Sequence, residues 1–502
     1  MSRARGLTRP LTWLLALLVL LDLLYSASQH YRQPLDGDVA AIVLPAPAYA
    51  PVLHDPFGVR VLRTGQGHAG PNRFFAHATE LLYLRAVPGW LQRLVLPINS
   101  VYLACALLKT AVQALLLFLL ARYAGQVKAG PPERAAGQTR DFWLAAALLA
   151  PLFQTAGYQG QMGIIDRSIT YSFFYALPLS LLLALLWPFF AAWASGRPLR
   201  PGALRGGLLL ALALYLAFHG PLVGGIAAAL LVASLLAWFA GRRRNLFSAQ
   251  EATGLPRRSA AAMTRLRLSR PGWLLLAGVG ALTLYSLYLG SFNTENLGAA
   301  AVPLPARYWL LARGIGAALT SKLGLPLLVG AVLGNAWLLA RRLPPTPATA
   351  RLLALLRGLG WFALAYLLLL PLGGYRPYRP LMLRYDTLLP LTLGLLLAYA
   401  ATALHLLREL TGLGRRCYGA GLLGISAVFM FADKPLKPAA SNAFERQALT
   451  RLAATPGPVV QLPAEGRIMS WEPISSPPLS DTNAQLLYYW GITPEVRQYY
   501  QK

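Results

Sequence analysis

Apolar positions in this chain come in long unbroken runs, with none of the short alternation that marks half-buried strands. Runs of about 17–25 residues are the length that crosses a bilayer as a helix. They fall at 11–28, 97–122, 141–157, 169–194, 204–219, 221–240, 272–290, 319–340, 357–373, 387–407 and 417–432. The pattern predicts an all-α polytopic membrane protein with about 11 transmembrane helices. His219, Gly220 and Pro221 make a very tight turn between the fifth and sixth spans.

Two stretches leave this pattern. Residues 29–96 begin with Asp36-Gly37-Asp38, continue through PVLHDPFGVRVL and a Gly/Pro-rich passage, and end in RFFAHATELLYLRAVPGWLQRLV. In that last part Phe74, Phe75, Leu81, Leu82, Leu84, Trp90, Leu91 and Leu94 mix with Arg73, Arg85 and Arg93, which suits helices lying in the membrane interface, broken at Pro88-Gly89. Residues 433–502 are polar, and a stretch of roughly 70 residues is near the lower limit for an independent core. Short apolar runs such as VVQL and a Pro/Ser-rich middle indicate a small subdomain leaning on the membrane part. The expected division is a membrane domain over 1–432, carrying the 29–96 loop, and a C-terminal segment over 433–502. No inverted repeat of the transporter kind is evident.

Composition agrees. Hydrophobic residues make up 56% of the chain and charged ones 13%, with a mean hydropathy of +0.48, whereas a soluble domain carries about 25% charged residues. The net charge of +28 would suggest nucleic acid in a soluble protein, but here it follows the positive-inside rule. With the N-terminus inside, Arg3, Arg5 and Arg9 fall inside. So do Arg122 to Arg140, Arg197 to Arg205, the dense cluster from Arg242 to Arg270, Arg341 to Arg357, and Arg408 to Arg416. These basic residues sit beside spans and lack interleaved aromatics, so no nucleic-acid partner is expected. The first span could pass for a secretory signal ending at Ser26-Ala27-Ser28, but its apolar run is long for one, and it is read as retained. Cys105 and Cys417 stand far apart without a CxxC or Cys/His cluster, and His219 and His405 lack metal-ligand spacing. No nucleotide-binding glycine loop is present.

Acidic residues are distributed asymmetrically. Asp36, Asp38, Asp55, Glu80, Asp166, Glu295, Asp386 and the C-terminal acids fall outside, leaving Glu133, Asp141, Glu251 and Glu409 inside. Asp and Glu contribute little to topology, so the skew points to an outside-facing polar site. Asp36-Gly37-Asp38 leads: one carboxylate can take the proton of an attacking hydroxyl while the second orients it or a metal. Asp-Gly is equally the signature of a turn leaving the helix. Asp166, in the next outside loop, is a third acid able to converge with the pair, or simply a helix cap. In YRPYRPLMLRYDTLLPL, Arg376, Arg379 and Arg384 crowd an outside loop among Tyr375, Tyr378 and Tyr385, a set suited to a phosphate or to interfacial anchoring. Arg307, Arg313 and Lys322 bracket the preceding outside loop. Within the bilayer Asp22 and Lys109 stand alone in adjacent spans, positions that allow a mutual ion pair, structural first and functional second.

Taken together, a first span ending in Asp36 and Asp38, a long outside loop with interfacial helices, Asp166 in the next loop, and Arg384-Tyr385 before a late span resemble the GT-C superfamily of polytopic glycosyltransferases. The resemblance implies a helical bundle with a lateral groove for a polyprenyl chain. It also implies a polyprenyl-phosphate-linked sugar donor, and a glycan, lipid or protein acceptor on the outer face of a membrane, the bacterial inner membrane in the first instance. Transfer would invert at the sugar, with Asp38 as base and Asp36 and Asp166 assisting. The donor phosphate would lie among Arg384, Arg379, Arg376, Tyr385, Arg307 and Lys322. No cofactor is certain, and a divalent metal at Asp36, Asp38 and Asp166 is left open. Asp386 after Arg-Tyr has no counterpart in that pattern. The alternatives are a transporter or flippase for an anionic lipid or solute, and a cell-envelope polysaccharide polymerase or ligase.

Overall fold

A computed structural model describes residues 8–127, 135–247, 268–296, 302–373, 375 and 381–502. The structure is 73% helical, as the backbone must be where no water can satisfy its amides. Among the described residues, seven helices are long and apolar enough to cross a membrane, or up to eight if a bent pair counts as one span. They are Arg9–Tyr31, Pro97–Gln126, Ile169–Ser195, Arg270–Gly290, Gly324–Arg341, Pro347–Leu372 and Tyr385–Glu409, and the bent pair is Ala203–Ala217 with Pro221–Leu236. The chain is an integral membrane protein.

The expected eleven spans differ from this in three places, each for a local reason. The 141–157 run is helical only as Ala135–Leu149, before a 3-10 turn containing Pro151. The two runs at 204–240 meet at an angle of 114° around Gly220, whose φ is +133°. The 417–432 run lies in a helix, Gly412–Ala432, whose five glycines and Arg415-Arg416 pair dilute its hydropathy. The all-α expectation also needs one amendment. Val459–Leu462, the VVQL run, forms β1 and pairs in parallel with β2, Gln498–Gln501.

Helix starts are written into the sequence. Proline occupies the first turn of the helices beginning at Pro97, Leu304 and Pro347, where its missing N–H costs nothing. Ser168, Ser269 and Thr346 accept backbone N–H bonds as N-caps. The Tyr385–Glu409 helix is the central post, buried along most of its length. It packs against Gly324–Arg341, Pro97–Gln126 and Pro347–Leu369. The first helix, by contrast, lies at the periphery and presents Leu14, Leu17, Leu21 and a 75% exposed Trp13 outward, as a lipid-facing surface should.

That first helix becomes protein-packed only at its C-terminal end. Ser26, Gln29 and His30 are buried there. Gln113 donates to Ser26 Oγ at 3.0 Å and meets the His30 ring at 3.0 Å. Ser26 therefore belongs to a packed helix and not to an exposed cleavage site. In the following loop Phe74–Leu91 is one helix that runs on through Pro88, so the expected break at Pro88-Gly89 does not occur. Leu82, Trp90, Leu94 and Leu96 project from this region, exposed, consistent with an interfacial position.

The C-terminal segment is clamped to the same end of the bundle. Asn442 donates to the Arg32 and Tyr31 carbonyls at 2.7 and 2.8 Å, and Arg446 lies 4.6 Å over the Tyr31 ring and 4.1 Å over that of Tyr102. Leu449, Leu487, Trp490 and Tyr499 share one apolar core with Leu35, Val39, Leu84 and Tyr102. At residue 433 the chain is pinned again. The Asp433 carboxylate accepts the backbone N–H groups of Thr155, Ala156 and Gly157 at 2.6–3.1 Å. A Cβ at Gly157 would stand 2.3 Å from the Ala432 carbonyl oxygen, so only glycine permits this approach.

Candidate active site

The end of the first helix delivers Asp36 into a loop that begins 130 residues later. Ser168 Oγ donates to Asp36 Oδ2 at 2.6 Å, Thr170 N to Oδ2 at 3.1 Å, Thr170 Oγ1 to Oδ1 at 2.9 Å, and Asp38 N to Oδ1 at 3.0 Å. Four donors on one buried carboxylate leave it little capacity for anything else. Asp36 is thus the tie between the first outside loop and the loop that carries Asp166. This departs from the expected orienting or metal-binding role for that residue.

Asp166 sits on the other side of Ser168, accepting its backbone N–H at 2.7 Å. Burial, opposed by that hydrogen bond and by Lys109, holds the Asp166 carboxyl up at about 6. A carboxylate poised there is suited to accept a proton near neutral pH. Asp38 lies at the rim, half-buried, where its Oδ1 accepts the Trp471 indole N–H at 3.1 Å.

Beneath the pair lies Glu80, fully buried in the interfacial helix. Thr170 Oγ1 stands 2.7 Å from Glu80 Oε1 as well as 2.9 Å from Asp36. A hydroxyl carries one hydrogen and cannot donate to both carboxyls. Burial first, and Asp36 second, hold Glu80 well above the usual carboxylate range, so Glu80 supplies the missing proton as a neutral acid.

The structure gives different partners to the two intramembrane charges whose adjacent spans allowed them to pair. Lys109, 1% exposed, donates to Gln33 Oε1 at 2.8 Å and to the Arg167 carbonyl, and it interacts electrostatically with Asp166 and Asp36. It is the buried counter-charge of the acidic loop. Asp22 neighbours Asp433 instead.

Of the basic candidates, Arg384 and Tyr385 stand beside this cluster. Tyr385 interacts with Asp166 and meets Gln159 Nε2 at 3.4 Å. Arg384 stands at the start of the central helix, where its Nη2 donates to Asp386 Oδ2 at 3.1 Å and its Nε lies 2.7 Å from Asp386 Oδ1 as an ion pair. Both line a cleft of about 150 Å³ with Gly160, Gln161, Gly314 and Ser321. Gly314 is required there, since a Cβ would come within 2.7 Å of the Leu383 carbonyl oxygen. Lys322 reaches the cleft edge, its Nζ lying 3.7 Å from where a Gly160 Cβ would be. Arg307 does not join them. It is spent on the carbonyls of Val302, Pro371 and Gly373 at 2.9–3.3 Å. Arg376 and Arg379 lie outside the described residues.

A larger apolar groove, about 1120 Å³, opens farther along the bundle between Ile169–Ser195, the helix from Pro221, Pro347–Leu369 and the central helix. Leu182, Phe190, Trp193, Leu230, Phe362 and Leu393 are among its walls, and among the described residues lining it Arg357 alone is charged. On the central helix its lining residues Pro390, Leu393, Gly394 and Leu397 fall on the face opposite Tyr385 and Leu388 of the cleft.

Four residues of the site were not among those expected from the sequence. Ser168 and Thr170 follow Asp166 closely enough that hydroxyls beside a loop acid were a usable signal. Trp471 and Glu445 gave none. Glu445 is buried and accepts from Leu35 N at 2.9 Å, Tyr102 Oη at 2.7 Å and Met469 N at 2.9 Å, so it sets the residue before Asp36 and the turn before Trp471 together. Met469 holds a left-handed φ of +47° to make that bond. Burial pushes Glu445 up to about 7 from 4.5. A raised carboxyl contributes stability below its unfolded value and loses it as pH rises through the folded one. Docking of the C-terminal segment should therefore weaken between pH 4.5 and about 7 by on the order of 1–3 kcal/mol. Glu445→Gln should be less stable than the parent at pH 5 and lack this pH slope, as read by thermal unfolding of both proteins across the range.

Among the described residues no group of three or more His, Cys, Asp or Glu side chains is placed to hold a metal ion. No protein-family model matches the chain, and no curated protein matches it either.

Proposed function

We propose that the chain is a membrane glycosyltransferase that moves a sugar from a polyprenyl-phosphate donor to an acceptor hydroxyl at the acidic-loop end of the bundle, with inversion. The observation that carries this reading is the junction at the start of the central helix, where Tyr385 interacts with Asp166 and also lines, with Arg384, the cleft that Lys322 borders. Acids suited to a sugar hydroxyl thus adjoin basic groups suited to a phosphate, and the bundle also carries a long apolar groove able to take a hydrocarbon chain.

In the reaction the acceptor oxygen attacks the anomeric carbon from the face opposite the phosphate. The bond from that carbon to the phosphate oxygen breaks, and its electron pair leaves with the polyprenyl phosphate. The acceptor's proton passes to a carboxylate, Asp38 in first place and Asp166 next. Charge-assisted donors from Arg384 and Lys322 would stabilise the leaving phosphate. With its guanidinium ion-paired to Asp386 through one hydrogen bond, Arg384 is pre-oriented, and N–H groups that Asp386 does not hold can serve the phosphate.

The groove also favours this reading over a polar-solute transporter, since among the described residues its walls are mostly apolar, with Arg357 the one charged side chain. Its volume exceeds the ~300–1,000 Å³ of ordinary small-molecule sites. By the same reading the site faces the outer side of a bacterial inner membrane, with the N-terminus cytoplasmic and the C-terminal segment outside. The direct test supplies the purified full chain in lipid nanodiscs with polyprenyl-phosphate-linked sugars carrying a radiolabel. Label should move to an acceptor with loss of polyprenyl phosphate esterification. Absence of transfer or donor hydrolysis across a panel of sugars, with donor demonstrably in the bilayer, would sink the proposal.

A further inference from the structure

Trp471 arrives at the acidic loop from a different part of the chain and remains 43% exposed there. Three contacts fix its position. Its indole N–H is donated to Asp38 Oδ1 at 3.1 Å. Its ring lies 5.7 Å from that of Tyr171, inclined by 32°, and Tyr171 is itself backed edge-on by Tyr175 at 5.6 Å. Beneath it Gly37 allows an approach that no other residue would, since a Cβ there would stand 2.7 Å from Trp471 Cδ1. Glu445 holds the backbone two residues before the tryptophan and one residue before Asp36. A large, partly open aromatic surface is thus held against a carboxylate by contacts from three separate segments.

We infer that Trp471 and Tyr171 form a platform that receives the apolar face of a pyranose ring, with Asp38 accepting hydrogen bonds from its hydroxyl edge. A sugar ring presents C–H groups on its faces and hydroxyls around its rim, so it needs an aromatic face and a polar acceptor side by side. The indole answers the first need and the carboxylate the second. Tying the N–H to Asp38 orients both groups before a ligand arrives, which lowers the cost of binding. The inference rests on the glycosyltransferase reading of the acidic loop and adds to it the residues that grip the sugar. The ring could come from the donor or from a glycan acceptor, and the shared chemistry is the pyranose itself.

Saturation-transfer NMR on the full chain in nanodiscs separates these sources. One arm uses methyl glycosides of glucose, mannose and galactose. The other uses the same sugars linked to a short prenyl phosphate. In at least one arm the ring C–H protons should receive saturation from the parent and from Trp471→Phe. Trp471→Leu should weaken that binding by ~3- to 10-fold, the range of a single aromatic contact. Dependence on Trp471 in the free-glycoside arm identifies a glycan acceptor, and dependence only in the prenyl arm identifies the donor sugar. If Trp471→Leu does not fold, Tyr171→Leu replaces it, with a smaller loss expected in the same arm. Binding unchanged by removal of either aromatic side chain, or no glycoside binding by the parent in either arm, overturns the inference and leaves Trp471 an interfacial anchor. An enzyme that transfers sugar with the aromatic side chains dispensable would reject the platform alone. A chain that binds glycosides through Trp471 yet never transfers them would reject the glycosyltransferase reading alone.

Discussion

Asp38→Asn should lower sugar transfer by roughly 10²–10⁴-fold, the usual contribution of a positioned general base, while the protein still folds and inserts. The side chain is at the rim, and asparagine retains an oxygen to accept the Trp471 N–H. Asp36→Asn behaves differently. Its two oxygens accept four protein hydrogen bonds, and an amide nitrogen in place of one oxygen would face donors with a donor. The expected result is a loosened 166–171 loop and reduced thermal stability, with any activity loss following from it. Asp166 is distinguished by its titration. Because burial holds it at about 6, an enzyme that needs it ionised gains rate as pH rises through that value. Asp166→Asn should remove this acidic limb from the pH–rate profile. Should Asp38→Asn transfer sugar at nearly the parent rate while Asp166→Asn is inactive, the base is Asp166.

Arg384→Ala should weaken binding of a polyprenyl phosphate by roughly 10- to 100-fold, the equivalent of one or two charge-assisted hydrogen bonds. Arg384→Lys should fall between, keeping the charge and losing the planar fork. The alanine variant should also lose stability, because Asp386, only 6% exposed, is left without the guanidinium that grips it. The double variant Arg384→Ala/Asp386→Asn separates these effects. It should recover thermal stability and not donor affinity. If neither variant binds the donor more weakly than the parent, Arg384 serves only to hold Asp386 at the start of the central helix.

Much of the membrane architecture could be read from the chain before folding, because one strong rule governs it. A backbone in hydrocarbon must satisfy its own hydrogen bonds, so a run of sufficient apolar length becomes a helix regardless of its neighbours. Seven of the expected runs correspond to helices that meet the requirement for crossing a membrane. The exceptions lie where glycine, proline or paired arginine compete with length, at 135–152, at the bend around Gly220 and at 412–432. The location of the acids at the end of the first helix was also written locally.

What those acids do was not. Asp36 looks like Asp38 in sequence, and only the arrival of Ser168 and Thr170 makes one a structural tie and leaves the other at the rim beside Trp471. Lys109 and Asp22 both read as isolated charges in adjacent spans. The rotation of each helix turns Lys109 toward Gln33 and the Arg167 carbonyl and sets Asp22 near Asp433. Helix rotation is decided by how side chains of several spans interlock, and the length of an apolar run carries no information about it. The same holds for Glu445 and Trp471, which reach the site across more than 400 residues of sequence. Hydrophobic length acts along the chain and can be read there. The pairing of buried polar groups acts across it, because each buried donor must find its acceptor wherever packing has put one, and only the folded bundle decides where that is.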